Sequence, residues 1–145
     1  MKYKTKAARG LVLAASVGVL SACSEIGSEP SPYEEVNTLE DVRLELEKDS
    51  YDPEGDTFML NTINESDSDI SYGIAFSLEK IQDGEWYIVE PDEDMVFIMI
   101  AHSLSPGEVA QDELNMEYFE PLESGEYRVV REIEGEVLTA EFEVE

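Results

Sequence analysis

His102 is the one histidine of the chain, and aspartate and glutamate supply 35 of its 145 residues. Any acid–base chemistry would be built from these groups. Such work needs a proton-transfer group within hydrogen-bond reach of a partner, and a nucleophilic triad needs a base between nucleophile and orienting carboxylate. No Ser-His-Asp spacing around His102 proposes one. The residue follows an apolar run ending at Ala101 and reads as a strand end or loop. Among so many acids, close carboxylate pairs arise by chance, so no catalytic residue is expected and the chain reads as a non-enzyme. Three acidic clusters, Asp52-Glu54-Asp56, Glu65-Asp67-Asp69 and Glu90-Asp92-Glu93-Asp94, carry the oxygen ligands that calcium gathers in sets of about six to eight. None follows the spacing of a calcium loop. Glu65-Ser66-Asp67-Ser68-Asp69 alternates its acids but lacks both the glycine and the distal glutamate. These clusters read as solvated loop acids within a diffuse counterion cloud. No metal site and no cofactor are expected, with an extracytoplasmic calcium-binding module as an alternative. Trp86 and Tyr87 are the candidate binding residues, an aromatic surface for a protein or glycan. As strand neighbours they fall on opposite faces, so both rings cannot enter one core.

The elements that must position these groups are strands. From about Glu40 the apolar residues alternate with period two. Val42, Leu44 and Leu46 share one face opposite Arg43, Glu45 and Glu47, and Phe58 to Asn64 supplies a second strand. Tyr72, Ile74, Phe76 and Leu78 predict a third, joined through Asp83-Gly84 to Trp86–Val89; that dipeptide is a strong hairpin signal. The continuous run Met95–Ile100 predicts a strand buried on both faces. Pro106-Gly107 turns into Val109–Met116, and Glu134-Gly135 joins Tyr127–Ile133 to Val137–Val144. No segment keeps a helical period. The pattern predicts an all-β domain over residues 40–145 with about seven or eight antiparallel strands, the size of an immunoglobulin-like β-sandwich.

Ahead of the domain, Ser24 to about Leu39 carries Gly27, Pro30, Ser31 and Pro32 among glutamates. Residues 23–39 therefore read as a flexible acidic tether. Residues 1–22 differ again: Lys2, Lys4, Lys6 and Arg9 precede an apolar run from Leu11 to Leu20, the layout of a secretory signal. As a helix that run covers about 15 Å, half of a bilayer core of about 30 Å, too short for a comfortable span. Leu20-Ser21-Ala22-Cys23 resembles the lipobox at which bacterial lipoproteins are acylated and cleaved. The resemblance implies a mature chain beginning at Cys23, held by at least two acyl chains on the extracytoplasmic face of the cell membrane. One chain alone anchors only marginally. Cys23 is the only cysteine, so an acylated Cys23 leaves no thiol for a disulfide, a nucleophile or a zinc site.

All 35 acids follow position 23, against Arg43, Lys48, Lys80, Arg128 and Arg131. Phosphate-backbone binding needs the basic residues this surface lacks, so nucleic acid is excluded as a partner.

Leu122-Glu123-Ser124-Gly125-Glu126-Tyr127 resembles the tyrosine corner of immunoglobulin-like sandwiches, in which a phenol bonds upstream backbone. Leu46–Tyr51, Asn61–Ser66, Tyr72-Gly73, Phe76–Lys80, Gly84–Tyr87, Val96–Ile98, Leu104–Glu108 and Gly125–Arg128 follow in order. Together they resemble a bacterial immunoglobulin-like domain of secreted and lipid-anchored Gram-positive proteins, over residues 42–144. The resemblance implies a fold and an extracytoplasmic setting, with no catalytic residues to carry over. The expected function is a cell-surface lipoprotein whose single, monomeric domain is a non-enzymatic interaction module. Its partners would be the bilayer, through acylated Cys23, and an extracytoplasmic protein or envelope component. The Leu-x-Pro-Gly-Glu and Gly-Glu-Tyr-Arg turns also resemble a proteinase-inhibitor family of similar β architecture, which would present a loop around Glu90–Asp94.

Overall fold

Alternating strands expose one apolar face each, and two sheets of such strands hide those faces against one another. A computed structural model describes residues 29–53 and 55–145, and the pattern folds as expected into an all-β sandwich. The strands are β1 (Val42–Leu46), β2 (Ser50–Tyr51), β3 (Phe58–Asn64), β4 (Ile70–Tyr72), β5 (Ser77–Gln82), β6 (Glu85–Val89), β7 (His102–Leu104), β8 (Val109–Leu114), β9 (Gly125–Ile133) and β10 (Glu136–Val144). One 3-10 turn, Glu117–Phe119, is the only helical element among the described residues. Cys23, the basic and apolar segments before it, and Glu54 lie outside the described residues.

The smaller sheet runs β1-β3-β8, antiparallel throughout. In the larger sheet β10 pairs along its whole length with β9 and takes β2 in parallel on its other side. The far side of β9 is shared by β5, along Tyr127–Val130, and β4, at Ile133. Outermost, β6 pairs with β5 and β7 with β4. Two-residue turns close the β5–β6 and β9–β10 hairpins, with positive φ at Asp83 (52°), Gly84 (82°), Glu134 (53°) and Gly135 (78°). That geometry suits the right-handed twist of the flanking strands.

The two layers meet over buried Val42, Leu44, Phe58, Leu60 and Leu114 on one side and Leu78, Val129, Ile133, Leu138, Phe142 and Val144 on the other. At one end Tyr51 stacks on Phe58 with centroids 3.8 Å apart, and Phe142 stands edge-on to Phe58 at 5.1 Å. Aromatic pairs of this kind add about 0.5–1.5 kcal/mol each beyond their buried area.

Three expectations are corrected. Met95–Ile100 forms no strand: Val96 is 90% exposed and Met99 92%. An apolar run becomes a strand only where a neighbour offers hydrogen bonds, and the free side of β4 takes His102–Leu104 instead. The strand expected from Tyr72 to Leu78 is broken between β4 and β5, because the Arg131 guanidinium claims the carbonyls of Ile74 and Ala75 at 2.9 and 3.3 Å. The tether expected over 23–39 is not free in its second part. Glu29–Thr38 lies bonded to the larger sheet as a strap, because its backbone finds partners at the edge of β6 and along β10.

Candidate functional site

The strap is fixed at both sides of the larger sheet. Pro30 bridges Tyr87 in antiparallel fashion, the Ser31 N–H donates to the Trp86 carbonyl at 2.8 Å, and Ile88 donates to Glu29 at 2.9 Å. On the other side the Asn37 N–H donates to the Val137 carbonyl at 2.7 Å. Between these points lies the outer face of the sheet, and there two charges are hidden. Arg128 and Glu79 face each other in the β5–β9 register, their side chains 6% and 1% exposed. Nε and Nη2 of Arg128 both donate to Glu79 Oε1, at 2.7 and 2.6 Å, and Oε2 of Glu79 has no hydrogen-bond partner among the described residues. The guanidinium lies 4.3 Å from the centre of the Trp86 ring and reaches Ser31 Oγ at 3.4 Å. Trp86 is thus the half-buried roof over a cation.

Tyr87 projects from the opposite face, where its hydroxyl donates to Glu85 at 3.1 Å. The two sequence-selected aromatics are therefore not brought together as one platform.

At the start of β9 the tyrosine corner is made. Tyr127 donates its hydroxyl to the Glu123 carbonyl at 2.7 Å, and Lys80 Nζ sits 5.4 Å over its ring. Burial, reinforced by the neighbouring Glu123 carboxylate, pushes the phenol up to about 12. Gly125 has φ of 149°, a conformation side chains rarely adopt. A Cβ there would lie 2.7 Å from Lys80 Cε.

Arg131 points inward with Tyr127, Val129 and Ile133. It crosses the sandwich to Asp112 on β8 at 2.9 Å while holding the two carbonyls of the β4–β5 break. Arg128, Glu79 and Arg131 were missed as structural charges by the sequence reading. The signal was present for Arg131, whose position in the alternation is a core position.

His102 begins β7, exposed, and stacks on Tyr72 with centroids 5.4 Å apart. The Glu65–Asp69 loop is organised by Asn64, whose buried amide donates to the carbonyls of Ser68 and Leu104 and accepts from both the N–H and hydroxyl of Ser66. Asp56 is held by Lys48 at 2.7 Å, a bond that lowers its carboxyl below the usual range. Among the described residues no three His, Cys, Asp or Glu side chains converge as a metal site.

The remaining feature is apolar. In the β6–β7 loop Val96, Ile98, Met99 and Ile100 are 90%, 67%, 92% and 54% exposed. Met95 and Phe97 turn inward, Phe97 against Phe76 at 5.7 Å.

A family model described as a bacterial Ig-like domain matches residues 38–143. No curated protein matches the chain. Among solved structures, the Pseudomonas fluorescens alkylpurine DNA glycosylase AlkC, bound to DNA containing an abasic site analog, is 15% identical with a TM-score of 0.42. That alignment covers 72% of this chain and 30% of the glycosylase. A β-glucosidase from Listeria innocua, in complex with gluconolactone, is 19% identical with a TM-score of 0.36, covering 71% of this chain and 16% of the other. The chain spans less than a third of either protein.

Proposed function

The chain belongs to the bacterial Ig-like domain family over residues 38–143, and on that footing we propose that it is a non-enzymatic interaction module displayed as a surface lipoprotein. What carries the reading is the order of its parts. A basic segment, a short apolar run and Leu20-Ser21-Ala22-Cys23 stand immediately before the strap and the domain. Acylation at Cys23 would hold the domain outside the cell membrane, close to an envelope partner.

The domain's own chemistry supports a binding role. Its internal charged groups are committed to structure: Glu79 to Arg128, Arg131 to Asp112 and the Ile74 and Ala75 carbonyls. The smaller sheet ends in β8, which among the described residues pairs on one side only, with β3. An outer strand of this kind accepts a partner's strand by main-chain hydrogen bonds.

The test is the mass and location of the expressed protein. An amino-terminal peptide that begins at acylated Cys23, and a Cys23→Ala chain that leaves the membrane fraction, are expected. An unmodified, uncleaved chain overturns the anchor. A partner captured from envelope extracts by the native protein, and lost when Val109→Asp and Gln111→Asp alter β8, identifies the docking edge.

A further inference from the structure

We propose that the apolar tip of the β6–β7 loop enters the lipid surface beside the point of anchorage. The inference takes its anchor, and nothing else, from the lipoprotein reading above. Met95–Ile100 places four aliphatic side chains in solvent, while Met95 and Phe97 fasten the same run to the core. The tip is therefore held outward. Contiguous exposed apolar patches on soluble domains mark sites of interaction.

The direction in which the chain enters names the occupant. Pro30 pairs antiparallel with Tyr87, and the Glu29 carbonyl accepts from Ile88. At Glu29 the strap therefore starts beside the carboxyl end of β6, the edge from which the loop departs. Only six positions separate Cys23 from Glu29, and an extended chain covers at most about 3.6 Å per residue, so an acyl anchor would attach within about 20 Å of that edge.

Charge decides between lipid and the other occupants. Glu90, Asp92, Glu93 and Asp94 precede the tip, and no Lys or Arg occurs between Lys80 and Arg128. The loop thus has no cation for an anionic headgroup, and what it offers a membrane is hydrocarbon, with the acids limiting its depth. A second copy is opposed by the charge of the chain from Cys23 onward, 35 acidic residues against five basic ones. Anchoring supplies the affinity that so small a patch lacks, because a short linker raises the local concentration of loop and membrane to about the millimolar range.

The experiment uses the single thiol of the chain. The chain from Cys23 onward, which contains every described element, is coupled through that thiol to maleimide phospholipid in phosphatidylcholine vesicles. Met99→Trp then reports insertion through quenching by lipids brominated along their acyl chains, with Gln111→Trp on β8 as the reference. Quenching several-fold stronger at Met99→Trp is expected, falling to the reference level when Ile98→Asp and Ile100→Asp are added. Equal quenching at the two positions overturns the proposal. So does a Met99→Trp emission shift that grows with protein concentration without vesicles, which would assign the tip to a second copy. Vesicles containing phosphatidylglycerol should give weaker quenching at low salt and restored quenching in about 1 M NaCl, where the Debye length is about 3 Å. Stronger quenching by anionic lipid at low salt would overturn the hydrocarbon basis. The coupling is chemical, so its result stands whether or not native Cys23 carries acyl chains; the mass of the native peptide tests that separately.

Discussion

Asn37 and Thr139 clasp one another twice: the Asn37 side-chain amide donates to Thr139 Oγ1 at 2.9 Å, and its carbonyl oxygen accepts the Thr139 N–H at 2.8 Å. The pair joins positions 102 residues apart and fastens the strap to the final strand. Asn37→Ala removes both side-chain bonds and leaves the Asn37 N–H on Val137. At this solvent-facing site a loss of about 1 kcal/mol is expected. Urea melts should show a lower midpoint with an unchanged slope, and amide exchange should accelerate at Thr139. An unaltered Thr139 rate would mean the strap is held elsewhere.

The strap matters because of what it helps to cover. Breaking a buried ion pair from one side costs about 3–5 kcal/mol, whereas replacing both partners by apolar groups of similar volume is near neutral. Glu79→Gln and Arg128→Met should each destabilise strongly, and Glu79→Leu with Arg128→Met should recover most of the loss. Trp86, over the guanidinium at 4.3 Å, gives the readout. Its emission should change in every variant that lacks the cation.

How far the sequence could be read follows from which forces shape each part. Strand positions such as Leu138, Ala140, Phe142 and Val144, all buried, were legible because burial on one face writes itself as alternation. The turns at Asp83-Gly84 and Glu134-Gly135 were legible because positive φ selects residue type. The tyrosine corner was legible because its spacing is local. Met95–Ile100 was not, since hydrophobicity says nothing about whether a neighbouring strand is vacant. The strap was not, since Pro30, Ser31 and Asn37 are typical linker residues whose bonding depends on a sheet edge far away in sequence. The burial of Glu79 and Arg128 followed from that same unseen cover. Trp86 and Tyr87 were placed on opposite faces by alternation alone, but only the fold revealed the cation beneath Trp86.

Tyr127 should contribute to the loss of stability at alkaline pH. An unfolded phenol ionises near pH 10, and in the fold burial and then Glu123 push this one up to about 12. Its folded value is raised, so its contribution is whole below about pH 10 and is lost as pH climbs through 12. Tyr51 and Tyr72, also raised chiefly by burial, act in the same direction. Tyr127→Phe should cost about 1 kcal/mol at neutral pH through the lost bond to Glu123, yet lose less stability than the native chain between pH 10 and 12. Urea midpoints across that range measure both effects. Parallel curves would mean that another group governs the alkaline loss.

Salt should stabilise the protein, although every cation of the domain is in an ion pair. Arg43 bonds Glu45 and Glu65, Lys48 Asp56, Lys80 Glu123, Arg128 Glu79 and Arg131 Asp112. The exposed pairs contribute about 0–1 kcal/mol each and weaken on screening. Against them stands a large excess of acids over the five basic residues from position 23 onward, and that excess repels until solution ions intervene. Glu126 and Glu143 are the sharpest instance, two exposed carboxylates directly opposite in the β9–β10 register, and like charges so placed destabilise a sheet. The repulsion has many members and the attraction few, so the midpoint of thermal unfolding should rise with NaCl. Glu143→Lys turns the opposed pair attractive and should add about 0.2–1 kcal/mol at low salt. Because that gain is screened in turn, the variant's advantage should shrink toward zero in about 1 M NaCl, where charges act over only about 3 Å. An advantage independent of salt would place the effect in packing rather than charge.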